Sequence, residues 1–371
     1  MAPNRRRWFL SVLLLLSLFL IGTSGLSCGA IGGPPAEQAP GKEPSATSTP
    51  RPSTVVAEAS ATPLPADTPT IRPPTSTPTP SPTLTPPATR RPVPFGTGVP
   101  LPTPPAVPLL ATVADKPSAP LTDLIARAVA GKEGNFGIAV KNLTTGELAT
   151  YNADRQFEAA SLYKLNLMYG AFEQVKSGKL SFADKMTISE KAAYGYGDGD
   201  PTMEPGEEVT VWEAVERAIT VSDNTCAHAL LEKLPIWEIN QSFQRLGLKQ
   251  TEINNGTRTS PIDMLRLMEM IATGRALSRE DSRAMLKPLL QQQINDRLPV
   301  LLPMEVPIAH KTGNLDGLRH DVGIVYAPTG PYAIAILLDG LPEEHTGSED
   351  IAEVSRAVYD YFVPGTPTPR P

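Results

Sequence analysis

Ala160-Ser161-Leu162-Tyr163-Lys164 is the stretch on which the reading of this chain turns. The apolar residues Leu162, Leu165, Met168, Ala171, Phe172 and Val175 recur at three- and four-residue steps, and Gly178 closes the run. That spacing predicts a helix starting at this stretch. Three residues apart on a helix is nearly one turn, so Ser161 and Lys164 fall on a shared face. A lysine amine held against a serine hydroxyl, in a site that favours the neutral amine, can take the hydroxyl's proton. Lys164 is the one lysine of the chain with a serine three positions before it. Taken alone, the pair is more simply read as a helix-capping serine and a solvated lysine. Two later stretches decide between these readings.

Ser222-Asp223-Asn224 falls at the break between two helical patterns. Lys311-Thr312-Gly313 ends a strand pattern that begins Pro307-Ile308-Ala309-His310. An S-x-x-K, an S-D-N and a K-T-G in that order resemble the signature of class A β-lactamases and penicillin-binding proteins. The resemblance covers about residues 119–363. It implies a β-lactamase/transpeptidase-like fold and a serine hydrolase that acylates on Ser161, hydrolysing β-lactams. Lys164 would be the base or proton relay, and Ser222 would pass a proton to the departing nitrogen. Asn224 would hold Lys164 and the substrate's side-chain amide. Lys311 and Thr312 would bind the carboxylate that β-lactams and peptidoglycan stems share. Gly313 would leave room for substrate along the strand edge, and the amides of Ser161 and Asn314 would form the oxyanion hole. Asp223 reads as a buried structural carboxylate.

One departure from the family's pattern bears on turnover. Class A β-lactamases carry an omega loop with a glutamate and, four residues later, an asparagine that together hold the hydrolytic water. No glutamate between Ser222 and Lys311 has an asparagine at that spacing. Glu252 is the nearest candidate and reads as an exposed position beside a short strand. Acylation is therefore expected to survive and deacylation to be slow. The family's carboxylate-binding arginine is also displaced, since His320 and Asp321 occupy its neighbourhood and Arg319 is one step off. The alternative on the same residues is a D-Ala-D-Ala carboxypeptidase acting on peptidoglycan. A non-catalytic wall-binding module is a third reading, disfavoured because a binder has no use for Ser161, Lys164 and Ser222 together.

Around this core the pattern alternates. Leu121 to Val129 predicts a helix, and Phe136–Lys141 and Glu147–Tyr151 two strands about the turn Thr144-Thr145-Gly146. Helices alone are expected next: Thr210-Val211-Trp212-Glu213 is a capping box, Asn224 a candidate cap, and Ser260-Pro261 another start. Strands return at Pro307–Gly313, Val322–Tyr326 and Tyr332–Leu338, before a helix from about Glu349 to Tyr361. The expected class is α/β (α+β), with an antiparallel sheet built from both chain ends, packed against helices, plus an all-helical block.

The remainder of the chain is of another kind. Of its 41 prolines, 24 fall between Pro34 and Pro117, so residues 31–118 read as a disordered, semi-rigid stalk without a core to build. Residues 365–371 repeat that composition. Residues 1–30 read as an export segment, with Arg5-Arg6-Arg7 ahead of an apolar core from Trp8 to Gly22. Leu26-Ser27-Cys28-Gly29 resembles a bacterial lipobox whose Cys28 would carry lipid, although its leucine lies two rather than three positions before the cysteine. Lipid anchorage, plain secretion and an uncleaved anchor all remain open, and each places the domain outside the cytoplasm. Gly25-Leu26-Ser27-Cys28-Gly29 also spells a nucleophile elbow, but no strand and helix flank it.

The formal charge of -6 and the lack of a basic patch outside the N-terminus exclude nucleic acid as the expected partner. A monomer acting on a small β-lactam or a stem peptide is expected. Cys28 and Cys226 make no disulfide framework. His228, His310, His320 and His345 lack metal-ligand spacing, so no metal and no cofactor is expected. Gly195 to Asp200 reads as a flexible loop at a cleft rim, where Tyr194 or Tyr196 could stack on substrate.

Overall fold

A computed structural model describes residues 106–197, 199–254, 256–342 and 346–365. The export segment, Cys28, the Pro-rich stretch up to residue 105, Asp198, His345 and the tail from residue 366 lie outside the described residues.

The chain enters as a short strand β1 (Lys116–Pro117), then α1 (Ala119–Val129), β2 (Asn135–Asn142), β3 (Glu147–Tyr151) and β4 (Phe157–Glu158). A 3₁₀ turn (Ala160–Leu162) runs into α2 (Tyr163–Lys176). Then come β5 (Lys185–Thr187), α3 (Glu190–Tyr194), β6 (Glu208–Thr210), α4 (Val211–Thr220), α5 (Asn224–Lys233) and α6 (Ile236–Arg245). After β7 (Arg258–Thr259) follow α7 (Pro261–Thr273) and α8 (Arg279–Leu290). Strands β8 (Ile308–Leu315), β9 (Leu318–Val325) and β10 (Tyr332–Asp339) lead to α9 (Ser348–Phe362).

Six strands form the main sheet in the order β1-β3-β2-β10-β9-β8. Its pairs are antiparallel, apart from the parallel β1–β3 contact. Both ends of the chain therefore meet at its centre, where β2 pairs β10 along eight residues. Side chains of β10 alternate, as a strand buried on both faces requires. Ile334, Ile336 and Leu338 join α1 and α9 in one core, through Leu121, Ile125, Ile351 and Val358. Ala333, Ala335 and Leu337 point the other way, into the core of the helical block. The small alanines on that face suit the close approach of α7. Helix α7 begins with Ser260 as its cap, accepting the Asp263 amide, and Pro261 at its first position.

Helix α2 is the axis of that block. Every residue from Lys164 to Phe172 is buried, so it is enclosed all round rather than amphipathic. Such burial of two polar residues, Lys164 and Asn166, at its N-terminal end is costly without partners. Lys164 finds its partners in the site below, whereas the buried Asn166 Oδ1 meets no hydrogen-bond donor among the described residues.

Four sequence expectations need correction. The middle of the chain is not purely helical, because β5 pairs β6 and β4 pairs β7. Two- and three-residue strands carry no periodicity to read. Strand β9 starts at Leu318, four residues before its apolar run, because His320 and Asp321 point inward and are satisfied there. Ser161 lies in the 3₁₀ turn, a step ahead of the α-helix rather than at its start. Residues 106–118, read as stalk, lie on the domain. Val107, Leu109 and Leu110 pack against the core, and the Leu110 amide donates to the Ala272 carbonyl at 2.9 Å.

A buried charge cluster holds that segment. Lys141 of β2, 1% exposed, sits 2.7 Å from both Asp115 and Glu269 and donates to the Val113 carbonyl. Arg266, chiefly through its hydrogen bond, holds the Asp115 carboxyl down at about 2.

Candidate active site

The residues Ser161, Ser222, Asn224, Thr312 and Asn314 line a single cleft of about 790 Å³. They arrive from three directions. Ser161 comes from the 3₁₀ turn, Ser222 and Asn224 from the α4–α5 junction, and Thr312 and Asn314 from the sheet-edge strand β8.

Backbone strain marks two of these entries. Ala160 has φ +45° and Ser222 φ +59°, left-handed values that cost a residue with a Cβ about 1 kcal/mol or more. Their surroundings hold them. On one side the Leu162 amide bonds the Ala159 carbonyl, and the Ala159 amide bonds the Thr257 carbonyl at 2.9 Å. On the other, Asp223 caps α5. Its carboxylate accepts from the Cys226 amide at 3.0 Å, Thr202 Oγ1 at 2.6 Å and Arg217 Nε at 2.8 Å. Burial opposes its charge, but these donors win and keep its carboxyl below the ordinary range. The cap is thus Asp223 and not Asn224, which leaves the Asn224 side chain free to turn inward.

Lys164 is fully buried. Its Nζ donates to Asn224 Oδ1 at 2.5 Å, the Ser222 carbonyl at 2.6 Å and Ser222 Oγ at 3.2 Å. Lys311, also fully buried, donates from the far side to Ser222 Oγ at 3.0 Å and to the Thr312 carbonyl at 2.8 Å. The Ser222 hydroxyl therefore lies between two lysine amines. Burial, then the positive charge of Lys164, pull Lys311 well below an ordinary lysine. A hydroxyl bridging two amines is placed to move a proton between them and the cleft.

A histidine of β9 ties the sheet to β4, beside the turn that carries Ser161. His320 is fully buried, with Nε2 2.8 Å from the Glu158 carbonyl and Nδ1 3.2 Å from the Leu338 amide. Nδ1 also lies 2.6 Å from the Arg319 carbonyl, and burial outweighs the pull of the Glu158 and Arg319 carbonyls to lower the pKa to about 4, which keeps the ring neutral at pH 7. A Cβ on Gly313 would lie 3.1 Å from His320 and 3.2 Å from the Ala159 carbonyl. The glycine lets the edge strand close on the turn that carries Ser161. His320 also sets a pH dependence. In the unfolded chain it gains a proton near 6.5, but in the fold near 4, so its contribution is complete above 6.5 and disappears as pH falls towards 4. Stability is expected to fall by about 3 kcal/mol over that interval on this account. Urea midpoints measured from pH 7 to 4 should fall steeply in the parent chain and less in His320→Asn; parallel curves would remove the assignment.

Sequence reasoning missed Arg297. It lies in the segment between α8 and β8, which has no strand or helix, so no periodicity announces it. Its side chain is buried yet reaches the cleft. Nη2 donates to Asn314 Oδ1 at 2.9 Å, and Nη1 to the carbonyls of His320 at 3.2 Å and Gly313 at 3.4 Å. Arg319 instead donates to the Leu315 and Leu318 carbonyls of its own hairpin. Glu252 forms a bridge with Arg258, each amide donating to the other's carbonyl. The carboxylates that line the cleft are Glu158, Asp296 and Asp316, and Thr257 lines it from the segment after Glu252. Tyr194 bonds Glu204, Tyr196 stacks on His228, and Cys226 is buried without a disulfide. Among the described residues no cluster of three metal-ligating side chains occurs, and no helix is long and apolar enough to cross a membrane.

Comparison with known proteins converges on one group. The chain is 26% identical to a β-lactamase of Bacteroides uniformis over 263 residues, which cover 62% of this chain and 87% of that protein. The solved structure of PBP-A superposes with a TM-score of 0.64 at 29% identity, covering 68% of this chain and 99% of that one. A mutant of PBP-A has been solved as an acyl-enzyme complex with penicillin G. The β-lactamase of Sphaerobacter thermophilus superposes at 0.61 with 25% identity, over 67% of this chain and 98% of its own. Residues 120–362 match the β-lactamase enzyme family as a whole, and that span holds all three motifs. A shared fold, and a family match running unbroken from α1 to α9, make this chain a member of the β-lactamase enzyme family.

Proposed function

We propose that the cleft performs serine acyl transfer on β-lactams, with Ser161 as nucleophile and slow release of the acyl group. The observation that carries this reading is the Ser222 hydroxyl held between the buried amines of Lys164 and Lys311. In the forward step Ser161 Oγ attacks the lactam carbonyl while Lys164 takes its proton, directly or through a relay. The Ser161 and Asn314 amides receive the negative oxygen. Ser222 then gives its proton to the departing ring nitrogen and regains one from a lysine amine, so the ring opens as a neutral amine. Lys311, Thr312 and Arg297 supply the positive and hydroxyl groups for the substrate carboxylate.

Slow release rests on two points. The sequence lacks the glutamate–asparagine spacing, and the cleft's carboxylates come from Glu158, Asp296 and Asp316 instead. The same machinery would serve a D-Ala-D-Ala carboxypeptidase on stem peptides, and the likeness to PBP-A favours keeping that second reading. In either case the domain would work outside the cytoplasm at the end of the Pro-rich stalk, with lipid at Cys28 as one form of attachment.

Time-resolved mass spectrometry with penicillin G tests the proposal. A covalent adduct on Ser161 that persists for many minutes is expected. An adduct that disappears within seconds overturns slow release, and no adduct on the folded protein overturns acyl transfer itself.

A further inference from the structure

His310 lies one residue before Lys311 and takes no part in the reaction outlined above. It is fully buried, with Nδ1 2.9 and 3.2 Å from the two carboxylate oxygens of Asp321. Its Nε2 lies 3.1 Å from Asn295 Oδ1. The orientation of the Asn295 amide is fixed independently, because its Nδ2 donates to the Gln292 carbonyl at 3.0 Å. Turning that amide over would set two carbonyl oxygens against each other. Both ring nitrogens thus face oxygen acceptors, one on β9 and one in the segment before β8. Asp321 Oδ2 accepts a further bond from the Leu298 amide at 3.1 Å.

These bonds fall on either side of Arg297. Asn295 precedes it and Leu298 follows it, in a stretch without a helix or strand ladder to hold it. The room for the imidazole is built into the sheet. Gly323 lies directly opposite His310, and a Cβ there would come within 2.6 Å of the His310 Cβ. The charged groups about the ring are Asp321 on β9, Lys311 on its own strand, and Arg297 with Asp296 in the segment packed over it.

We propose that His310 is a positioning residue: with Asp321 it clamps Asn295 and Leu298 to the sheet and so sets the Arg297 guanidinium for the substrate carboxylate. The inference rests on the proposed acyl transfer and on the carboxylate role given to Arg297 there. It deepens that reading, because selectivity for a carboxylated substrate becomes a property of a pair buried beneath the cleft. A buried pair hydrogen-bonded on both sides suits the task, since no water competes for its contacts.

The test compares acylation rates for penicillin G and its methyl ester, in the parent chain and in His310→Ala, Asn295→Ala and Arg297→Ala. The acid-over-ester ratio is expected to fall by roughly tenfold in His310→Ala, approaching that of Arg297→Ala. Adding His310→Ala to Arg297→Ala is expected to change the ratio no further, because both act through one group. Asn295→Ala leaves the buried pair intact and should lower the ratio in the same sense, which covers the case of a His310 variant that does not fold. An unchanged ratio in folded His310→Ala and Asn295→Ala, or fully additive losses in the double variant, overturns the proposal. A parent chain that acylates with neither compound is a different failure, that of the acyl-transfer reading.

Discussion

Lys164→Ala is expected to slow acylation of Ser161 by penicillin G by about 10²–10⁴-fold, the range for loss of a positioned base or acid. The lysine meets Ser222 Oγ, the Ser222 carbonyl and Asn224 Oδ1 together. Removing it would take away the proposed proton acceptor and one donor from each of those oxygens. Lys164→Arg should not rescue the rate. A guanidinium keeps the charge but cannot accept a proton near neutral pH, and its planar fork does not fit a site cut for an ammonium. Stopped-flow or quenched-flow mass spectrometry reads both variants. If arginine restores more than a small part of the parent rate, the amine acts by charge and not as a base.

The second large effect concerns stability. Asp223→Ala is expected to lower unfolding free energy by roughly 3–5 kcal/mol, the cost of breaking a buried pair from one side. The carboxylate is 1% exposed and lies 2.7 Å from Arg217 Nη2, besides its bonds to Thr202 and to the Cys226 amide. Part of the loss is the helix cap, worth about 1 kcal/mol. The rest is the stranded, half-buried guanidinium. Asp223→Asn should lose less, because an amide oxygen still caps α5. Urea midpoints at neutral pH decide it, and a drop below about 1 kcal/mol for the alanine variant would mean that the junction is held by something else. Acylation should suffer along with stability, since Ser222 keeps its left-handed backbone against this anchor.

How much of this was legible beforehand depends on the kind of signal. The long elements were. Strands β2, β3, β8 and β10 and helices α1, α2 and α9 carry runs whose period survives in any context. The motif residues were also legible, because S-x-x-K, S-D-N and K-T-G are local strings. What escaped was whatever depends on distant parts of the chain. Arg297 sits in irregular backbone, and its value comes from β8 and β9 beside it. His310 and His320 read as two unremarkable histidines, yet one is doubly partnered and the other is held neutral. Asp223 and Asn224 are both good caps by residue type. Only the left-handed turn at Ser222 decides which of them caps and which faces Lys164. The end of the Pro-rich stretch was misread for the same reason: Asp115 has no meaning without Lys141 and Arg266 across from it.

The order of the strands has a practical consequence. The chain joins the sheet at β1, one border, whereas Lys311 and Thr312 belong to β8, the opposite border. Five interstrand steps of about 4.8 Å separate them, roughly 24 Å across the sheet. A dye or solid support coupled to the exposed Lys116 of β1 therefore attaches at the border remote from Lys311 and Thr312. Orienting the protein on a chip through that border should leave the mouth of the cleft open to a large ligand as readily as to a small one.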